Sequence, residues 1–302
     1  MKKAILFHNP VSGDEQHSKE LILSDLKKSG IECRYQSTKS GEWPDYEAIN
    51  QADLLIVAGG DGTVRKFVKY LLKLTDDLNT PPIGVLPFGT ANNIAKTLNF
   101  SDDIAKEIPL WNINNVIEMD IGFVNREGSS DFFIEGAGFG IFPYLMKKMD
   151  EKEALLNNKE TEERIKYVLK ELKDIMEDYE ARECTIIADG KNLSGVFIMA
   201  EFMNISSIGP NLFLTKPLLN DGKADVILIK PEDKYDFLKY VEHKLSGREY
   251  SFEFNPFRAS EIEIRWDGSH VHIDDKIIET DKKELIKIKM KKNALKFFKK
   301  ES

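Results

Sequence analysis

The stretch Leu54-Leu55-Ile56-Val57-Ala58-Gly59-Gly60-Asp61-Gly62-Thr63 constrains this 302-residue chain more than any other. Leu54 to Ala58 is a short apolar run with two β-branched residues, the pattern of a strand buried on both faces. It breaks into Gly59-Gly60-Asp61-Gly62-Thr63, after which Val64, Phe67, Val68, Leu71 and Leu72 recur at helical spacing. A buried strand, a glycine turn and a helix start are the parts of a phosphate cradle. Glycines let the backbone approach a polyanion, and the amide N–H groups of the helix start point at it. Asp61 alone would repel phosphate, so its place here implies that it orders the loop or reaches a metal held by the phosphates. Ordinary strand-to-helix turns also use glycine, but three glycines with Asp and Thr in five residues favour a binding loop.

The first half repeats this alternation. Residues 3–8 read as a strand that leaves through Asn9-Pro10-Val11-Ser12-Gly13, and Ser18 to Lys28 as a helix ended by Gly30. Ile31 to Gln36 is a second strand, and Pro81-Pro82 lead into another at Ile83-Gly84-Val85-Leu86. Such alternation predicts an α/β domain with a doubly wound, largely parallel sheet, whose ligands sit beyond the carboxyl ends of the strands. The loops 9–13, 59–63 and 87–93, with Thr38, all fall at that end.

The second half predicts an antiparallel β domain, sandwich-like. Candidate strands are 116–124, 132–134, 184–188, 195–203, 224–229, 250–254, 261–266 and 270–273, with 286–290 near the chain's end. Thr161 to Tyr179 keeps helical spacing over Ile165, Val168, Leu169, Leu172, Ile175 and Met176, inside a helical insertion at 145–182. The expected division is 1–122 for the α/β domain, with 291–302 packing back on it, and 123–290 for the β domain. His270 and His272 read as a surface pair on an edge strand.

Charge and composition exclude several classes. The formal charge of −8 argues against general nucleic-acid binding. From Lys282 onward nine lysines face two glutamates, a net of +7, so the remainder carries −15. That end reads as a lysine-guarded edge strand with a tail, or as an element that faces an anionic membrane. No apolar run approaches the ~18 residues of a membrane span. Ala4 to Phe7 is too short for a secretory signal, and Cys33 and Cys184 lack metal-type spacing, so we expect a cytoplasmic protein with reduced thiols.

Gly59-Gly60-Asp61-Gly62-Thr63, followed by Pro87-Phe88-Gly89-Thr90-Ala91-Asn92-Asn93, resembles the diacylglycerol kinase catalytic-domain family, which includes bacterial lipid kinases and sphingosine kinases. Asn9-Pro10-Val11-Ser12-Gly13 and Leu218-Leu219-Asn220-Asp221-Gly222 support the resemblance, which covers nearly the whole chain. NAD kinases share the first element, and the other elements favour the lipid kinases. The resemblance implies an N-terminal α/β nucleotide domain and a C-terminal β-rich domain. It also implies ATP with its phosphates against the glycine loop, and Mg2+. Carried over by position, the nucleotide contacts are Asn9, Ser12, Thr38, Gly59, Gly60, Asp61, Gly62, Thr63, Gly89, Thr90 and Asn92. The magnesium site implied is Asp221 by side chain, with Leu218 and Lys223 contributing backbone carbonyls. The residues alone make Asp221 a plain Asp-Gly turn.

The family's general base is a glutamate in an Asp-Gly-Glu turn, and the corresponding segment here is Asp274-Asp275-Lys276. A lysine is no base near neutral pH unless its pKa is strongly depressed. Asp275 is therefore the catalytic candidate beside Asp61. Arg65, Lys66, Asn93 and Asp14 also depart from common family residues; Arg65 and Lys66 could bind phosphate or be solvated helix charges. Glu135 and Glu201 are candidate linings of an acceptor cleft. The leading reading is an ATP- and Mg-dependent kinase for a hydroxyl of diacylglycerol or a related lipid, working peripherally on the inner face of the membrane. The basic tail with Leu295, Phe297 and Phe298 would be its docking element; whether it forms a homodimer stays open. The alternatives are a catalytically impaired nucleotide- or lipid-binding relative, on the evidence of Lys276, and a NAD kinase-like enzyme with a soluble acceptor.

Overall fold

The computed structural model describes residues 1–12, 18–75, 78–156, 160–248, 250 and 254–298. Gly13, Asp14 and most of the strand expected at 250–254 lie outside the described residues. The chain divides into two units, Met1–Met119 with Asn293–Ser302, and Asp120–Lys292. The boundaries fall a few residues from those expected, inside the strands Val116–Arg126 and Ile286–Phe298.

In the first unit, β1 (Lys2–His8), β2 (Ile31–Ser37), β3 (Leu54–Gly59) and β4 (Ile83–Pro87) form a parallel sheet in the order β4, β3, β1, β2. The end of the chain extends it beyond β4, where Phe297 pairs in parallel with Ile83. All six residues of β3 are buried, as the apolar run requires. The helices α1 (Lys19–Lys28), α2 (Tyr46–Asn50), α3 (Asp61–Leu74) and α4 (Asn93–Thr97) follow the strands. The order of strand addition reverses at the parallel β1/β3 pair, so the loops after these two strands diverge at a topological switch point.

The second unit contains a six-stranded antiparallel sheet. Its order is Phe257–Ala259, Ala224–Ile229, Met199–Met203, Gly136–Gly140, His270–Ile273 and Lys276–Glu279. A second antiparallel set joins Gly195–Phe197, Arg182–Ala188, Glu261–Trp266 and the start of Ile286–Phe298. Phe139, Phe197, Phe202, Ile264, Trp266 and Ile288 fill one shared core. Three helices, Ile141–Glu151, Thr161–Asp178 and Lys234–Leu245, cover a second core through Leu145, Leu172, Met176 and Phe237.

Several expectations change. The run expected at 195–203 splits at Ile198 into two strands. Helix Lys234–Leu245 was missed, although Phe237, Tyr240 and Val241 carry its i, i+3, i+4 signal. Strand Lys276–Glu279 was also missed. His270–Ile273 is therefore internal rather than an edge, and His272 is buried while its neighbour His270 is not. The apolar residues expected to dock the tail on a membrane are taken up by the core instead: Leu295, Phe297 and Phe298 are at most 2% exposed. Phe298 stacks on Trp111 with ring centroids 5.6 Å apart, and Gly84 leaves the space that the Trp111 ring occupies.

Because an aromatic ring deleted from such a core costs about 3–5 kcal/mol, Phe298→Ala should lower the urea-unfolding free energy of the protein by that order. A change below ~1 kcal/mol would show that the chain's end does not complete the first unit's core.

Candidate functional site

Each unit gathers its own set of sequence-marked residues. In the first, the glycine loop after β3 and the loop 87–92 after β4 touch backbone to backbone. A Cβ on Gly60 would meet Gly89 Cα at 2.8 Å, and one on Gly89 would meet Gly60 Cα at 2.4 Å. A Cβ on Gly59 would strike the Thr63 side chain. Gly60 and Gly89 are required by close approach, and no larger residue fits at either without moving a main chain, whereas at Gly59 it is the Thr63 side chain that would have to move.

Asp61 ties the two loops together. One carboxylate oxygen accepts the Asn93 N–H at 2.9 Å and the other the Ile94 N–H at 3.0 Å, so the aspartate of α3 serves the start of α4. Of the two roles expected for Asp61, ordering the loop is therefore the one its contacts fulfil. Asn92, in the left-handed region at φ 51°, closes its own loop: its amide donates to the Pro87 and Gly89 carbonyls, and its oxygen accepts the Gly89 N–H. Thr90 lies half-buried in this loop.

The first loop joins the same cluster. The Asn9 side-chain amide donates to Ser12 Oγ at 2.6 Å and to Thr63 Oγ1 at 3.3 Å. Both hydroxyls act as acceptors there, and their own protons have no acceptor among the described residues. They are thus left as donors, as a phosphate oxygen requires. α3 starts at Gly60 without a side-chain cap, with the Thr63 N–H donating to the Gly60 carbonyl, and the positive end of its dipole favours an anion there. Thr38 is buried, its N–H bonded to the His8 carbonyl and its own carbonyl accepting from Lys66. Lys66 is exposed and lies over the Trp43 ring at 5.7 Å, whereas Arg65 is buried and so is not a solvated helix charge.

In the second unit the turn 219–223 is organised by a residue that sequence reasoning passed over. Asp120 is fully buried; its carboxylate accepts the Gly222 N–H at 2.6 Å and its N–H donates to the Leu219 carbonyl. Asn204 holds the Asp120 and Ile134 carbonyls in turn. An acidic residue inside the apolar run Met119 to Ile121 was the available signal. Asp221 spends one oxygen on the Lys223 N–H. Its other oxygen and the Leu218 and Lys223 carbonyls are hard oxygen donors, the chemical type that magnesium takes. No group of three or more Asp, Glu, His or Cys side chains among the described residues is arranged to hold a metal ion.

The turn after strand His270–Ile273 carries the third group. Asp274 sits at φ 51°, and its carboxylate accepts from the consecutive N–H groups of Ile134, Glu135 and Gly136 at 2.8–3.1 Å. Three successive amides around one carboxylate form an anion nest. Asp274 therefore anchors the turn to residues 134–136. Asp275 is exposed, and Lys276 Nζ stands 3.8 Å from Asp131 Oδ2.

Behind this turn, His272 and Glu201 form a fully buried couple, Nε2 to Oε2 2.8 Å. Gly138 admits it: a Cβ there would lie 2.1 Å from the Glu201 carboxyl group. His272 Nδ1 lies 3.1 Å from the Asp274 carbonyl, which can only accept, so Nδ1 carries a hydrogen and the titrating proton lies between Nε2 and Glu201. Burial pushes the Glu201 carboxyl up, opposed by His272. Burial alone would push His272 down, but the charge and hydrogen bond of Glu201, with Asp274, outweigh it and hold the imidazole above its ordinary 6.5.

Comparison with known proteins adds the following. Residues 3–124 match the diacylglycerol kinase catalytic domain. The chain is 30% identical over 256 residues to the diacylglycerol kinase of Bacillus subtilis (strain 168), covering 82% of this chain and 80% of that one. It is 32% identical over 151 residues to the diacylglycerol kinase of Staphylococcus carnosus (strain TM300), a match that spans 46% of this chain and 45% of that relative. A crystal structure of a diacylglycerol kinase from Bacillus anthracis str. Sterne superposes with a TM-score of 0.72 at 22% identity, covering 99% of this chain and 97% of that one. At that identity the likeness is one of fold.

A folded pKa above the unfolded one means stability that is complete below the unfolded value and is lost as pH rises through the folded value. Both members of the couple have that sign, so unfolding free energy should fall as pH rises, above 4.5 on the glutamate's account and above 6.5 on the histidine's. Urea unfolding across a pH series should show this slope in the wild type and a flatter one in Glu201→Gln/His272→Gln. A wild-type curve that rises above pH 6.5 would contradict the assignment.

Proposed function

The chain belongs to the diacylglycerol kinase catalytic-domain family, and from that premise we propose that it is an ATP- and Mg-dependent lipid kinase that phosphorylates a hydroxyl of diacylglycerol or a related lipid. The observation that carries the reading is the double glycine contact: Gly60 and Gly89 share one space while Asp61 spends both oxygens on the Asn93 and Ile94 amides. An aspartate so occupied presents less negative charge to a polyphosphate, and the loops it joins are held for one. Ser12 and Thr63 donate to phosphate oxygens, Asn9 orients both hydroxyls, and the uncapped start of α3 faces the charge. Asp221, with the carbonyls of Leu218 and Lys223, would hold magnesium. Bound Mg-ATP supplies the activated phosphoryl group and the metal charge that offsets its negative oxygens.

In this reading the protein's contribution is positioning and electrostatics, together with a carboxylate that accepts the acceptor hydroxyl's proton. In this reading the enzyme meets its lipid at a membrane surface; no helix among the described residues is long and apolar enough to cross a bilayer. A second reading, a relative that binds nucleotide or lipid without catalysis, is favoured by one observation, the lysine at position 276.

Transfer of labelled γ-phosphate from Mg-ATP to a panel of lipids in mixed micelles separates the two. Diacylglycerol should be labelled, and Asp61→Ala should lower the rate at least 100-fold, since releasing the two loops misplaces the phosphates, and such misplacement costs about 10²-fold. Protein that binds ATP but labels no lipid would support the second reading. Gly89→Ala tests the cradle itself: ATP affinity by calorimetry should drop at least tenfold, about 1.4 kcal/mol, and unchanged affinity would place the nucleotide elsewhere.

A further inference from the structure

A cavity of about 590 Å³ lies wholly within the second unit, inside the ~300–1,000 Å³ range of small-molecule sites. Helices Ile141–Glu151 and Thr161–Asp178, the start of strand Arg182–Ala188 and the segment 266–270 line it. The buried Trp266 lies at its base, and Gly268 makes room for it: a Cβ there would stand 2.3 Å from the indole nitrogen. Main-chain bonds of 2.9 Å pin one rim, from the Thr280 N–H to the Ser269 carbonyl and from the Lys283 N–H to the Trp266 carbonyl. Beyond Ile175, glycines and aromatic rings, the lining is polar or charged, so it offers no bed to acyl chains. Uncharged diacylglycerol is not its ligand.

Opposite charges face this cavity without closing on each other. Asp174, Asp178 and Glu180 come from the end of one helix and the chain that leaves it, and Lys148, Arg182 and Lys282 from other elements. Among the described residues none of these side chains makes an ion pair, whereas Glu171, also in the lining, is taken by Lys152 at 2.7 Å. Arg182 is held by the Asp267 carbonyl at 3.2 Å. The rings of Tyr144 and Tyr179 stand 5.7 Å apart in the same lining. His270 adds a directed donor. A lysine ammonium can only donate, so His270 Nε2, 3.3 Å from Lys147 Nζ, accepts and Nδ1 carries the hydrogen. Nδ1 then donates to Ser269 Oγ at 3.0 Å, which leaves the serine hydroxyl's own proton for a ligand oxygen.

A ligand that neutralises both sets of charges carries both charges itself. We propose that the cavity binds a zwitterionic phosphoester of a primary amine, the chemistry of phosphoethanolamine. Its phosphate oxygens accept from Ser269, Arg182 and Lys282 in charge-assisted hydrogen bonds, and its ammonium donates to the carboxylates of Asp174, Asp178 and Glu180. A primary ammonium brings N–H donors for those carboxylates and a quaternary one brings none, so the choline ester is the poorer ligand. The same headgroup occurs on a membrane phospholipid and in a soluble ester.

Calorimetric titration of the full chain with glycerophosphoethanolamine tests this, and it reads the cavity whether or not the protein phosphorylates a lipid. A Kd of about 1 mM or tighter is expected. Inorganic phosphate, ethanolamine and glycerophosphocholine should each bind at least tenfold more weakly, about 1.4 kcal/mol. Lys282→Ala and Asp178→Asn, both at exposed positions, should each weaken binding about tenfold with the melting temperature unchanged, as the loss of one hydrogen bond to a charged group requires. Flotation with phosphatidylcholine vesicles, with and without phosphatidylethanolamine, separates the sources. Retention that needs phosphatidylethanolamine and yields to the free ester identifies a lipid headgroup, and binding of the free ester alone identifies a soluble one; both support the site. Binding of neither form, equal binding of phosphate or of glycerophosphocholine, or unchanged affinity in both variants would each overturn the assignment.

Discussion

The Asp61 carboxylate, shared between the Asn93 and Ile94 amides, is the interaction on which the first unit's site depends. Charge-assisted hydrogen bonds of this kind are about twice as strong as neutral ones. They join α3 to α4 across the top of a parallel sheet. Two loops that belong to different strands are thereby pressed together, and the only residues that survive the contact are Gly60 and Gly89. The small side chains follow from the geometry that the aspartate imposes, and the Asn92 loop closure completes it.

The second unit repeats the device with a different backbone. The Asp274 carboxylate is held by three amides, and that of Asp120 by Gly222. In each case a buried or nearly buried carboxylate is stabilised by main-chain N–H groups, which substitution elsewhere in the sequence does not remove. The His272–Glu201 couple lies one hydrogen bond behind the Asp274 turn. Removing one partner of such a pair typically costs about 3–5 kcal/mol, because the other is left charged and uncompensated in the interior. The couple is therefore bound to the geometry of the turn, and its protonation state to the stability of the sheet.

Charge on this chain misleads when it is read without neighbours. The lysine-rich end suggests a membrane-facing tail, yet its Lys287 and Lys289 pair with Glu263 and Glu261 across an antiparallel ladder, while Leu295, Phe297 and Phe298 go into the core. Alternation of lysine with apolar residues is the ordinary pattern of a strand with one wet face. Lys66 likewise has a carbonyl and an indole as partners.

Local pattern alone determined the α/β character of the first unit, the antiparallel character of the second and the glycine loop, because strand and helix periodicity and glycine turns are properties of short segments. The family motifs then marked Asn9, Ser12, Gly59 to Thr63, Gly89, Thr90, Asn92 and Asp221. What each residue touches was not legible, since those contacts join segments tens to more than a hundred positions apart. Asp61 reaches Asn93 and Ile94, Asp120 reaches Gly222, His272 reaches Glu201 and Asp131 reaches Lys276 only after strands have paired in register. The reading of His272 as a surface residue failed for the same reason. Whether a strand is internal or at an edge depends on whether another strand, here Lys276–Glu279, pairs beyond it. The residue types came from the sequence; their partners, their burial and hence their chemistry were decided by the tertiary structure.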